Sequence, residues 1–112
     1  MNLAGRFAIV SGASMGLGAE IAERFVAAGA GVMLCARNKS ELEAQCARIT
    51  SRYQNARIES QVADVADERQ VDRLFEETMR AFGTLDILVN NAGIYGPMGT
   101  IDEVNWNDWV KA

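Results

Sequence analysis

Histidine is absent from this 112-residue chain. Its absence removes every Ser-His or Cys-His nucleophile pair and every His-based metal site within the chain. Cysteine is scarce. Cys35 and Cys46 stand eleven residues apart, form no CxxC, and read as two reduced thiols, one in a strand and one on a helix. No run of basic residues occurs and the formal charge is −4, which speaks against a nucleic-acid or anionic-membrane surface. No apolar stretch reaches transmembrane length, and the N-terminus shows no charged-then-apolar signal pattern. With a single proline, 49% hydrophobic and 23% charged residues, the expected class is a soluble, cytoplasmic globular domain. The length suits one small domain and is too short for two.

What is present is a strict alternation. Phe7 to Val10 is a short apolar run that reads as a buried strand. From Leu17, apolar residues recur at Ile21, Phe25 and Ala28, with Ala22 and Val26 widening the stripe and Gly29 as its stop, so a helix is expected. Val32 to Ala36 is a second apolar run. Asn38 then reads as an N-cap, with Glu41 completing a variant capping box, and Leu42, Cys46, Ile49 and Tyr53 follow at helical spacing. Ile58 to Val62 is a weaker third strand. A third helix carries Val71, Leu74, Phe75, Met79 and Phe82 on one face and closes at Gly83, and Leu85 to Val89 forms a fourth strand. A loop and the start of another helix around Trp106 come last. Alternation of this kind predicts an α/β fold, a parallel sheet covered by helices on both faces.

The junction between the first strand and first helix reads VSGASMGLG, with Gly12, Gly16 and Gly18. A helix N-terminus presents unpaired N–H groups and a partial positive charge, which suits a phosphate. Gly12 would make the tight turn, Gly16 would permit close approach of a ligand, and Gly18 would let the helix pack on the strand. The spacing G-x3-G-x-G differs from the commonest dinucleotide fingerprint, and no Lys-Ser or Lys-Thr follows to make a P-loop. Plain turn chemistry is the alternative.

The end of the second strand adds a second clue. NAD-binding folds place an acid there for the adenosine ribose, whereas this chain has Ala36 and Arg37, 18 and 19 residues beyond Gly18. A guanidinium suits a 2′-phosphate, which favours NADP over NAD, unless Arg37 is simply a solvated surface residue. Asp64 ends the third strand at the same sheet edge. It would accept a hydrogen bond from an adenine amino group, or serve as a turn or N-cap residue. Asn90-Asn91-Ala92-Gly93 ends the fourth strand and reads either as a strand brace with room for a ribose or as an Asn-rich turn.

Together, Ser11-Gly12-Ala13-Ser14-Met15-Gly16-Leu17-Gly18, Asp64-Val65 and Asn90-Asn91-Ala92-Gly93 resemble the short-chain dehydrogenase/reductase family, in its order and at about its spacing over the whole chain. The likeness is nearest to 3-oxoacyl-carrier-protein reductases and similar NADP-dependent reductases. The resemblance implies a Rossmann-type doubly wound parallel sheet whose first four strands run in the order 3-2-1-4. It implies that Gly12, Ser14, Met15, Gly16, Leu17 and Gly18 line the phosphates and that Arg37 contacts the 2′-phosphate. Asp64 and Val65 would hold the adenine, while Asn90, Ala92 and Gly93 would hold the ribose and brace the fourth strand. Ser11 stands where the family usually has threonine. Met15 stands where many NADP-preferring members have a second basic residue, so the cofactor preference rests mainly on Arg37.

The family's chemistry is carried by Asn, Ser and a Tyr-x-x-x-Lys pair. Here Tyr53 is followed four residues later by Arg57, and Tyr95 by Gly99, so neither fits. An apolar fourth strand at an open sheet edge, and Trp106, Trp109 and Val110 in an unpaired apolar stripe, agree with a cofactor-binding half of a longer reductase. That reductase would move hydride between nicotinamide and a carbonyl or alcohol substrate, as a dimer or tetramer when complete. A non-catalytic NADP-binding module is the competing reading. An S-adenosylmethionine-dependent methyltransferase, the third, expects an acid where Ala36-Arg37 stands.

Overall fold

The structure, a computed structural model, describes residues 2–91. Its elements run β1 (Phe7–Ser11), α1 (Gly16–Ala27), β2 (Gly31–Ala36), α2 (Lys39–Arg52), β3 (Ile58–Val62), α3 (Glu68–Phe82) and β4 (Ile87–Val89). The four strands form one sheet in the order β3-β2-β1-β4, and every pairing is parallel. The expected α/β architecture and strand order are therefore observed.

β1 and β2 are apolar without alternation because each has protein on both faces. Successive side chains along a strand point to opposite sides of the sheet, and the core divides accordingly. On one side Val10, Val32, Leu34, Ala36 and Val89 meet Ile21, Ala22 and Val26 of α1 and Leu42 and Ile49 of α2. On the other, Ile9, Met33, Cys35 and Leu88 meet Leu74 and Phe82 of α3. The register aligns Ile9 with Met33 and Leu88, and Val10 with Leu34 and Val89, so each layer of the core is continuous across strands. Each fully buried aliphatic side chain contributes about 1.5–3 kcal/mol relative to exposure. β3 is polar and only partly covered, as suits the edge of the described sheet.

Local signals set the helix boundaries. Asn38 Oδ1 accepts from the Glu41 backbone N–H at 2.9 Å and from the Ser40 hydroxyl at 3.0 Å, which makes Asn38 the α2 N-cap. Gly83 ends α3 with φ at 78°, a left-handed conformation in which glycine carries no Cβ penalty. Two expectations need correction. Met79 is 48% exposed, and Thr78 is buried in its place, donating to the Leu74 carbonyl at 2.7 Å. The stripe of α3 advances by fours through Leu74, Thr78 and Phe82, which leaves Met79 rotated off it. Leu17 is 57% exposed, because the buried side of α1 begins with Gly18 and Ala19. No helix among the described residues is long and apolar enough to cross a membrane.

The amino edge of the sheet is closed by aromatic and ionic contacts. The rings of Phe7 and Phe82 lie 4.7 Å apart, and the Arg57 guanidinium stands over both while donating to the Ala81 carbonyl. A hollow of about 480 Å³ lies beside them and includes Arg6, Tyr53 and Arg57 but none of the candidate cofactor residues.

Candidate functional site

The candidate residues collect at the opposite, carboxyl edge. There β1 leads into α1, with its other neighbour β4 reached only after the crossover through β3 and α3. The crevice of an open α/β sheet forms where strand order reverses in this way.

The β1–α1 loop is held in an unusual backbone path. Gly12 and Gly16 have φ of 64° and 62°, a region that side chains with a Cβ rarely adopt. The Ala13 N–H donates to the Cys35 carbonyl at 3.0 Å, which fastens the loop to the end of β2. A Cβ on Gly18 would meet the Gly12 carbonyl oxygen at 2.0 Å, so only glycine lets the first turn of α1 sit this close to the loop. At Gly16 a Cβ would meet open space. Its glycine serves the backbone conformation and leaves the approach from outside clear.

The N-terminus of α1 is open where the other two helices are closed. Met15 occupies the N-cap position with extended backbone and no side-chain capping bond, and no acid stands in the first turn. By contrast, α2 is capped by Asn38 with Glu41 in its first turn, and α3 by Asp67 with Glu68. The partial positive end of α1 is thus unneutralised by its own side chains. Met15 and Leu17, each 57% exposed, flank it as apolar shoulders.

A groove of about 1020 Å³ runs along this edge, and it is lined by Gly12, Ser14 and Met15, then by Arg37, then by Asp64 and Val65. Arg37 is exposed and makes no ion pair among the described residues. Asp64 Oδ1 accepts the Ala66 N–H at 2.9 Å, forming an Asx turn. The N-cap of α3 is not Asp64 but Asp67, whose Oδ1 accepts from Arg69 and Gln70 backbone N–H groups. Those charge-assisted bonds, with one from the Gln70 side chain foremost, hold the Asp67 carboxyl below its ordinary range. Asp64 Oδ2 and the Val65 N–H have no protein partner among the described residues, which leaves an acceptor beside a donor on the groove wall.

Asn90 braces strand ends rather than lining the groove. Ser11 Oγ lies 3.3 Å from Asn90 Oδ1 and 3.2 Å from the Val89 carbonyl oxygen, so the ends of β1 and β4 are cross-linked. The Ser hydroxyl at this position is fully buried and does the bracing. Ala92 and Gly93 lie outside the described residues, as do Tyr95, Trp106, Trp109 and Val110. Asn91, expected from the sequence only as part of the strand brace, lines the groove, and its amide nitrogen would lie 2.7 Å from a Cβ on Gly18. Asn38 and Glu41, whose sequence pattern signals only a helix cap, line the groove as well. Burial in an apolar strand pushes the Cys35 thiol up to about 12, and its Sγ faces the Ala63 carbonyl at 3.8 Å. Buried and protonated, that thiol packs as a small apolar side chain.

A sequence profile described as short chain dehydrogenase matches residues 6–112. The chain belongs to the short chain dehydrogenase family. Among curated relatives, a short chain dehydrogenase/reductase of Colletotrichum higginsianum is 37% identical over 110 residues, covering 96% of this chain and 40% of its own. The 3-oxoacyl-acyl-carrier-protein reductase of Escherichia coli is 34% identical, covering 99% of this chain and 44% of its own. Among solved structures, the L-sorbose reductase of Gluconobacter frateurii, complexed with NADPH and L-sorbose, superposes with a TM-score of 0.79 at 36% identity. That match covers 97% of this chain and 41% of the reductase. The short chain dehydrogenase chain described here thus spans less than half the length of these relatives.

Proposed function

We propose that this chain binds NADP(H) along the carboxyl-edge groove. We further propose that it forms the cofactor-binding part of an oxidoreductase moving hydride between nicotinamide and a carbonyl or alcohol carbon. The observation that carries the reading is the meeting of three separate wall segments in one groove. An uncapped helix start suits a pyrophosphate, a cation with no ion-pair partner among the described residues suits a 2′-phosphate, and an acceptor–donor pair suits an adenine edge.

The residues divide the work as follows. Gly12, Ser14, Met15, Gly16, Leu17 and Gly18 present the backbone of the α1 start to the phosphates. Arg37 faces the 2′-phosphate, and a neutral Ala36 before it offers no acid to a ribose diol. Asp64 Oδ2 accepts from the adenine amino group while the Val65 N–H donates to the neighbouring ring nitrogen. Asn90 keeps β4 against β1 through Ser11, and Ala92 and Gly93 are assigned to the ribose. When bound, the nicotinamide supplies the hydride chemistry. The chain holds no Tyr-x-x-x-Lys pair. We therefore assign the proton-transfer residues, Ser, Tyr and Lys, to positions beyond these 112 residues.

Titration with NADPH and NADH, followed by nicotinamide fluorescence, tests the reading. Tighter binding of NADPH is expected, and equal or weaker binding than NADH would overturn the cofactor assignment. The missing Tyr-x-x-x-Lys pair also favours a second reading, an NADP-binding module without catalysis. Reduction of simple ketones by the intact natural polypeptide, followed by NADPH consumption, separates the two.

A further inference from the structure

Gln70, in the first turn of α3, does not line the groove, yet its side chain is fastened at both ends to the segment that does. Its Oε1 accepts the Asp64 backbone N–H at 2.8 Å, and its Nε2 donates to Asp67 Oδ2 at 3.1 Å. The second bond fixes which end of the amide faces Asp64, since a carboxylate accepts only. Around it the β3–α3 connection is tied at every backbone N–H but one. The Ala63 N–H donates to the Ala36 carbonyl, the Ala66 N–H to Asp64 Oδ1, and the Asp67 N–H to the Asp64 carbonyl. Among the described residues the Val65 N–H alone in this connection is left without a protein acceptor, and it lies on the groove wall.

We propose that Gln70 is a positioning residue: by holding the Asp64 N–H, it presets the Asp64 carboxylate and the Val65 N–H as a rigid acceptor–donor pair for the adenine edge. The inference rests on the NADP reading of the groove and adds to it a residue outside the groove. The Asp64 N–H has no strand or helix partner, because β3 ends at Val62 and α3 begins at Glu68. Without the Gln70 amide that peptide group would turn toward water, and the Asx turn built on the same residue would turn with it. Preorganisation of a recognition pair removes the cost of ordering it when the base binds.

The test compares NADP+ with its analogue carrying hypoxanthine in place of adenine, by titration calorimetry on the intact protein. The analogue replaces the amino donor opposite Asp64 with a carbonyl. The parent is expected to prefer NADP+ by about tenfold. In Gln70→Leu that preference should fall to near unity, whereas a role limited to stabilising α3 would lower the unfolding midpoint and leave the ratio unchanged. Gln70→Glu guards against a variant that fails to fold. Its carboxylate would face Asp67 at neutral pH, with Asp64 the other acid in reach. Once protonated it accepts and donates as glutamine does. The base preference of Gln70→Glu should therefore be weak at pH 7.5 and restored as the pH falls toward the carboxyl's own range, about 4.5, normalised to the parent at each pH. A preference that stays at the parental value in both variants overturns the proposal. A parent that binds no NADP+ overturns the NADP reading instead, and a parent that binds it without preferring adenine overturns the role given to Asp64, and with it this one.

Discussion

Gly18 at the start of α1 stands directly against the carbonyl of Gly12: a Cβ built on it would lie 2.0 Å from that oxygen and 2.7 Å from Asn91 Nδ2. The nearest obstacle is backbone rather than a flexible side chain, so the loop has no easy way to yield. Gly18→Ala is expected to destabilise the protein by about 2–3 kcal/mol, as overpacking in a tight contact does. Gly16→Ala meets no atom and should cost only the left-handed backbone penalty, about 1–2 kcal/mol. Denaturant midpoints of the two variants check the order. A Gly18 variant as stable as its parent would mean that the loop and helix are not in this contact.

On the proposed reading, Arg37 sets the cofactor preference. Replacing it with aspartate removes the cation proposed to face the 2′-phosphate and supplies an acid at the position where NAD-binding folds carry one for the ribose. Loss of a charge-assisted contact predicts NADPH binding weaker by roughly 100-fold, with NADH binding improved. Parallel titrations of both cofactors measure it. An unchanged ratio would show Arg37 to be a solvated surface residue.

Glu23 couples α1 to α2. Its carboxylate accepts from Arg48 and Arg52 of α2, each at 2.7 Å, and the Arg48 and Arg52 hydrogen bonds hold its pKa below the ordinary 4.5. A carboxyl whose folded pKa is depressed adds stability that is present above its unfolded pKa and disappears as pH falls through the folded one. Glu23→Gln should therefore be less stable than the parent at pH 7, with the difference shrinking as the pH drops below about 4.5. Asp67 is shifted in the same direction and will add to the acid sensitivity of both proteins equally. Unfolding midpoints from pH 7 to pH 3 provide the comparison. A constant difference would remove the ionic account of this contact.

The two thiols differ in access. Cys35 is fully buried with its pKa pushed up to about 12, while Cys46 on α2 is only partly covered. At pH 8 a disulfide reagent should modify Cys46 while Cys35 stays unreacted until the protein unfolds. Equal reaction rates would show that β2 opens readily in the native state.

The chain itself determined the order of elements, both apolar central strands, the Asn38 cap and the glycine-rich junction. These are local properties: apolar periodicity, capping chemistry and backbone freedom act within a few residues, so they can be read in a linear text. The tertiary structure decided what lies beside what. Gly12, Ser14, Met15, Arg37, Asp64 and Val65 line one groove only because β1, β2 and β3 run parallel in register, with their carboxyl ends side by side. The same packing turned Met79 outward, gave the cap of α3 to Asp67, and set Gln70 against the Asp64 N–H. Neither hydrogen-bond partner nor helix rotation is encoded by spacing alone. Each follows from which face of α3 the sheet buries, and that is settled only when the strands have paired.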